Sequence, residues 1–168
     1  RLSAQLLMAI TLNYTGRFGR VRELIDEMRA TCRSPDVTPL ALAVLKDVES
    51  MYYMLTADHD RCLEAVYDGI EIGQASGVNL WRYHLLSNGA AAALGAGDLE
   101  SAEELLGKMH QHREGARRLD RCSYHYYRSW LAMLRRDIVD AYQEQKTALR
   151  LAVETGCPYY ELLCRLAQ

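Results

Sequence analysis

The chain has 168 residues, 49% of them hydrophobic, with 3 prolines and a formal net charge of −2. That length suits one domain or one segment of a repeat array, and that apolar share builds a core and excludes a disordered chain. The near-neutral balance gives no electrostatic case for nucleic acid, and no apolar run approaches the roughly 18 residues that cross a membrane.

Leu, Ala, Glu, Arg and Met are common, a palette for helices. The apolar spacing predicts helices near 1–15, 19–32, 38–56, 60–75, 79–95, 99–113, 119–135, 138–154 and 158–168. Linkers fall at "RSPDVTP" (33–39), "SGVN" (76–79) and "HREGARR" (112–118). The ninth helix has no second helix to cover it and is expected to expose Leu162, Leu163 and Leu166. A solenoid end needs a cap, and the sequence begins at Arg1. The chain therefore reads as a segment of a longer protein, with ends able to self-associate. The five cysteines, Cys32, Cys62, Cys122, Cys157 and Cys164, are odd in number and lack a disulfide spacing, which points to a reducing cytoplasm.

The turns recur. "YTGRFGRV", "LTADHDRC", "GAGDLESA" and "LRRDIVDA" end at Val21, Cys62, Ala102 and Ala141, in steps of 41, 40 and 39 residues. A period near 40 means stacked units, here 1–35, 36–77, 78–117, 118–156 and a partial 157–168. Four residues before each compact position stand Arg17, Asp58, Asp98 and Asp137, three of them aspartates suited to accept from the free amides of a starting helix. One residue earlier stand Gly16, Ala57, Gly97 and Arg136, at the reversal itself. Ile25, Val66, Leu106 and Gln145 follow the compact position by four, and Met28, Gly69, Met109 and Ala148 by seven, tracing the buried stripe of a second helix. Twelve before it stand Ala9, Ser50, Ala90 and Ser129, small residues on the first helix. Gly77 and Gly156, 79 apart, each end a second helix. The expected fold is an all-α, right-handed superhelical solenoid of antiparallel helix pairs, four hairpins plus a terminal helix.

These columns resemble tetratricopeptide repeats in their small residues and Gly-Asp turn, as in Ala90, Gly97-Asp98 and Ala102 or Ser129, Asp137, Ala141 and Ala148. With a period near 40 they look like the superhelical sensor of MalT and its LuxR-type relatives, ATP-dependent transcription regulators. That resemblance implies a sensor or partner-binding arm. In the family a nucleotide-binding module precedes the superhelix and a DNA reader follows it. This chain has no G-x-x-x-x-G-K-[ST] and no basic recognition helix. No direct nucleic-acid contact, no membrane contact, no cofactor and no metal are expected for the segment. Its partners would be a small effector or a peptide on the concave face, and other domains of the parent.

Chemistry-bearing clusters are few. Cys122 and His125, with His110 and His112 upstream, lie on a helix without a C-x-x-C pair and read as groove and turn residues rather than a zinc site. "REGARRLDR" (113–121) reads as a solvated linker. No nucleophile–base pair is legible, so the segment is not expected to be an enzyme. Aromatics gather on first helices. The register places Ser123, Tyr126, Trp130 and Met133 on the groove side of repeat 4. It places His84, Ser87, Ala91 and Leu94 there in repeat 3, and Val44, Asp47, Met51 and Met54 in repeat 2. Aromatics beside hydroxyls and an imidazole suit a sugar ring or a peptide side chain. Trp130 and Tyr126 are the leading contact candidates.

Overall fold

The structure is a computed structural model that describes residues 2–112 and 115–167. Residues 113 and 114 of the expected linker and basic run, and residues 1 and 168 at expected helix ends, lie outside the described residues. Among those described there are nine helices and no strand: α1 (Leu2–Tyr14), α2 (Phe18–Cys32), α3 (Pro39–Leu55), α4 (His59–Ser76), α5 (Arg82–Ala96), α6 (Leu99–Gln111), α7 (Arg118–Leu134), α8 (Ile138–Thr155) and α9 (Pro158–Leu166). α5 begins later than the expected 79, because residues 80–81, Trp81 included, form a turn ahead of it. The chain divides into two compact units, 1–92 and 93–168, the division falling inside α5.

The reversal column has one backbone geometry throughout. Gly16, Ala57, Gly97 and Arg136 all take positive φ, at 70°, 58°, 77° and 62°. Each donates its amide to the carbonyl three residues back: Asn13, Met54, Leu94 and Met133. The next residue, Arg17, Asp58, Asp98 or Asp137, donates at 2.9 Å to the carbonyl five residues back. This paired closure satisfies the last carbonyls of the first helix with a left-handed residue at its end. The residue making the longer bond is also the N-cap of the second helix. The two helices are thus joined with almost no intervening chain. Asp98 and Asp137 accept from the Ser101 and Asp140 amides at 3.1 and 3.0 Å, as expected for caps. Asp58 makes no such bond and leans toward Arg61 at 3.5 Å instead. Gly156 repeats the paired closure after α8, and Gly77 after α4 is also left-handed.

In unit 1, Cys62 faces Ser50, and Lys46 pairs with Asp68, so α3 and α4 run antiparallel. α5 lies parallel to α3, with His84 on Asp47 and Asn88 on Ser50. α1 and α2 pack on α3 around a cluster that includes Leu6, Val21, Ile25, Met28 and Val48. In unit 2, Arg128–Asp140, His125–Glu144 and Cys122–Ala148 set α7 against α8, again antiparallel. α9 packs on α7 and α8.

Every residue of the four apolar or small columns is buried. Small residues at the crossing let the backbones approach. The Cys62 thiol sits 3.3 Å from the Ser50 carbonyl. A Cβ on Gly69 would come within 2.8 Å of Leu85 and 3.1 Å of the Lys46 Cβ. Gln145, polar in an otherwise apolar column, donates to the Cys164 carbonyl at 2.8 Å and so ties α8 to α9. On α9, Leu162 and Leu166 are exposed, while Leu163 is half-buried. All five cysteines are free thiols, and among the described residues no helix is long and apolar enough to cross a membrane.

Two of the four left-handed positions carry a side chain, which costs about 1–2 kcal/mol in that conformation. Replacement by glycine removes this cost and returns about 0.4–1 kcal/mol through the freer unfolded chain. Ala57→Gly and Arg136→Gly should each stabilise the protein by about 0.5–1 kcal/mol, and Gly97→Ala should destabilise it similarly, in urea unfolding. Destabilisation by both glycine variants would remove the left-handed turn from the account.

Candidate functional site

The sequence-expected groove residues fall into two places. In unit 1, Asp47, Met51, Ser87, Val44 and Ala91 are buried between helices, while His84 and Met54 are half-buried. The structure brings Asp47 and His84 together: His84 Nδ1 lies 2.5 Å from an Asp47 oxygen. Asp47 is 1% exposed. A polar chain continues from it. Ser50 donates to the Asp47 carbonyl at 2.9 Å, and Asn88 donates to the Ser50 hydroxyl at 2.9 Å. These groups hold α5 in register on α3, so their chemistry is turned inward.

In unit 2, Leu94 is buried on α5, and the other four candidates lie along α7. Ser123 is buried and donates to the Asp120 carbonyl at 2.8 Å. Tyr126 and Trp130 are half-buried, and Met133 is exposed. Tyr126 packs edge-to-face on Tyr127 and Tyr160, with ring centres at 5.3 and 6.0 Å. Burial, with Tyr159 and Cys164 adding to it, raises the Tyr126 hydroxyl above the usual tyrosine range. Tyr126 therefore belongs partly to the α7–α9 packing, and Trp130 and Met133 offer the more accessible apolar surface.

Three of the four residues weighed for zinc are engaged elsewhere, and His112 is exposed. Cys122 donates to the Ala148 carbonyl at 3.3 Å, His125 Nδ1 is 2.5 Å from Glu144, and His110 Nδ1 is 3.1 Å from the Tyr124 hydroxyl. Among the described residues no group of three or more His, Cys, Asp or Glu is arranged to hold a metal ion.

Sequence reading missed a charged cleft in unit 1. Residues of α2, α3 and α4 enclose a cleft of about 300 Å³ that includes Lys46, Glu49, Glu64 and Asp68. It adjoins a second, of about 350 Å³, that includes Arg22, Asp26, Tyr52 and Asp58. Arg29, Tyr53 and Arg61 line both. The Glu49 side chain is 4% exposed and meets Arg29 at 2.7 Å and Lys46 at 3.2 Å. Lys46 also reaches Asp68 at 2.9 Å, and Arg29 donates to the Tyr53 hydroxyl at 3.0 Å. Burial works against the charge on Arg29, but its bonds to Tyr53 and Glu49 outweigh it and raise the guanidinium pKa. Lys46 is raised in the same way, burial being outweighed by Asp68 and Glu49. Arg61, mostly exposed, lies over the Tyr53 ring at 5.8 Å from its centre. The i,i+3 spacings of Asp26 and Arg29, Lys46 and Glu49, and Asp58 and Arg61 are its local links. The contacts of Arg29 with Glu49 and Tyr53, of Lys46 with Asp68 and of Arg61 with Tyr53 cross between helices, and none of them repeats at the 40-residue period.

Comparisons with protein-family models, with curated proteins and with solved structures return no match.

Removing the hydrogen-bond partner of a buried polar group strands that group, at about 1–3 kcal/mol and more where it is charged. His84 is partly exposed, so His84→Ala should cost about 2–3 kcal/mol in urea unfolding. Adding Asp47→Ala to that variant should cost little more. Strict additivity of the two changes would show that the pair is not coupled.

The thiols divide by environment. Burial pushes Cys62 and Cys122 up to about 12 and Cys164 up to about 11. At pH 8 these three are thiols rather than reactive thiolates, and the fold covers them. Native protein should take up a maleimide fastest at the half-buried Cys157, more slowly at Cys32, whose thiol is pushed up by burial and by Glu49, and at the remaining cysteines only after denaturation. Mass mapping that finds early label on Cys62 or Cys122 would contradict this packing.

Proposed function

We propose that the chain is a binding module built of tetratricopeptide-like hairpins stacked into a right-handed superhelix, and that it is the effector- or partner-sensing arm of a cytoplasmic transcription regulator of the LuxR/MalT type. The observation that carries this reading is the recurrence of one left-handed turn at Gly16, Ala57, Gly97 and Arg136, at steps near 40. Such arrays present repeated helix faces to a ligand while their buried columns hold the scaffold. The exposed Met133 and half-buried Trp130 and Tyr126 supply an apolar surface on a first helix. A ligand that favours one curvature of the array over another shifts the parent between its resting and active states. The segment itself performs no chemistry in this reading and requires no cofactor.

The test is the parent reading frame. Sequencing outward should find a phosphate-binding loop motif upstream and a helix-turn-helix module downstream. With the parent in hand, Trp130→Ala should weaken effector binding by about tenfold, the cost of a well-buried aromatic contact, with the helical circular-dichroism signal unchanged. A frame that contains only more repeats would overturn the regulator and leave an interaction scaffold.

A further inference from the structure

We propose that the cleft between α2 and α4 is a binding site for a carboxylate-bearing ligand, gripped by Arg22 and Arg61 beside the Tyr53 ring. The inference rests on the reading of the chain as a binding module and adds the site and ligand class.

The cations of this cleft are not equivalent. Arg29 is committed, its Nε to Glu49 at 2.7 Å and an Nη to Tyr53 at 3.0 Å. It forms a fixed wall. Lys46 is committed to Glu49 and Asp68. Arg61 has only a long contact to Asp58, at 3.5 Å, and its side chain is 65% exposed. Its guanidinium carbon lies over the Tyr53 ring, 5.8 Å from the ring centre. Arg22 lines the same volume, is exposed and has no ion pair among the described residues. Two guanidinium groups not held by a close ion pair therefore border one cleft, and a carboxylate is the group that matches their forks.

Charge limits the size of the ligand. Three guanidinium groups and two carboxylates, Asp26 and Asp58, line this cleft. Arg29 is matched by the adjacent buried Glu49, so Arg22 and Arg61 are balanced by Asp26 and Asp58. An entering carboxylate must take Arg61 from Asp58. A phosphate dianion would bring twice the charge against Asp26 and Asp58, so a single carboxylate fits better. A cleft of about 350 Å³ accepts a group the size of a side chain. The carboxylate can belong to a free small acid or to an acidic side chain of a partner peptide.

Titration calorimetry on the whole chain at low ionic strength uses two probes of one carboxylate each, propionate and an acetylated, amidated Gly-Glu-Gly peptide. At least one should bind, more weakly as salt is raised. Binding of propionate identifies a free acid as the source, and binding of the peptide alone identifies a partner side chain. Arg61→Gln and Arg22→Gln should each weaken binding by about tenfold, the value of a charge-assisted hydrogen bond. Asp58→Asn removes the built-in competitor without removing a capping bond, and should tighten binding several-fold. A purely structural cleft gives no reason for that gain. Circular dichroism checks that each variant is folded. Failure of both probes to bind, or binding that both arginine variants leave intact, overturns the site. Neither failure bears on the flanking modules by which the regulator reading stands, and a frame without those modules leaves this affinity measurable.

Discussion

The rest of the structure depends on one constraint, the closure of each first helix by a left-handed residue whose neighbour already caps the next helix. An α-helix ends with carbonyls that need partners. At Tyr53 and Met54, and at Ala93 and Leu94, those partners are the amides of the next two turn residues. The chain reverses with no spare length. The second helix must then lie back along the first, and the position four beyond the cap must fall opposite the first helix twelve residues upstream. Only compact side chains fit on both sides of that crossing, which is why Ser50 and Cys62 meet there. Once that crossing is set, positions four and seven further along are turned inward by helical periodicity alone. The buried stripes follow from the turn rather than from separate instructions.

This explains which parts of the molecule were legible. A constraint imposed at each turn leaves similar residues at the same interval, which makes the columns legible, and the four apolar or small ones are buried. The reversal column was legible even where it lacks glycine, because Ala57 and Arg136 occupy the same register as Gly16 and Gly97. Helix type followed from spacing. The start of α5 did not, since nothing in "NLW" marks where the chain leaves the turn. Asp58 was expected to cap like Asp98 and Asp137, but it turned toward Arg61. A capping residue chooses among local partners by geometry that composition does not encode. The aromatics were harder still. Tyr52 and Tyr53 are adjacent, yet only Tyr53 is buried, because neighbours on a helix point about 100° apart and a small error in register exchanges their roles.

The ion pairs follow a different logic. In unit 1 an arginine of α2 meets a buried glutamate of α3, whereas in unit 2 the polarity is reversed: Glu103 of α6 receives Arg135 of α7 at 2.9 and 2.6 Å. Hydrogen bonding to Arg135 holds the exposed Glu103 carboxyl below its usual range, but an exposed pair contributes little to stability. Glu49 is the exception, because it is buried. Its cost of desolvation is offset by two cations, and its loss of either would leave a charge in a poorly solvated place. Such pairs are better suited to fixing which helix face meets which than to holding the helices together. The apolar columns do the latter.

A division of labour follows. The apolar and small residues that recur at the period build the scaffold and are turned inward, so they have no surface left with which to recognise anything. Recognition must fall to positions that do not recur. The column that holds Arg61 has Arg20, Ser101 and Asp140 in the other hairpins, and the column of Arg29 has Ile70, His110 and Leu149. Each hairpin thus carries a different set of side chains on the same backbone. A search for repetition finds the fold and is blind to the ligand. The α7 surface of Trp130 and Met133 follows from the register, whereas the links of the charged cleft in unit 1 between helices are predicted by no column. In a molecule whose regular positions are spent on packing, that departure from the pattern is the physical basis for looking there.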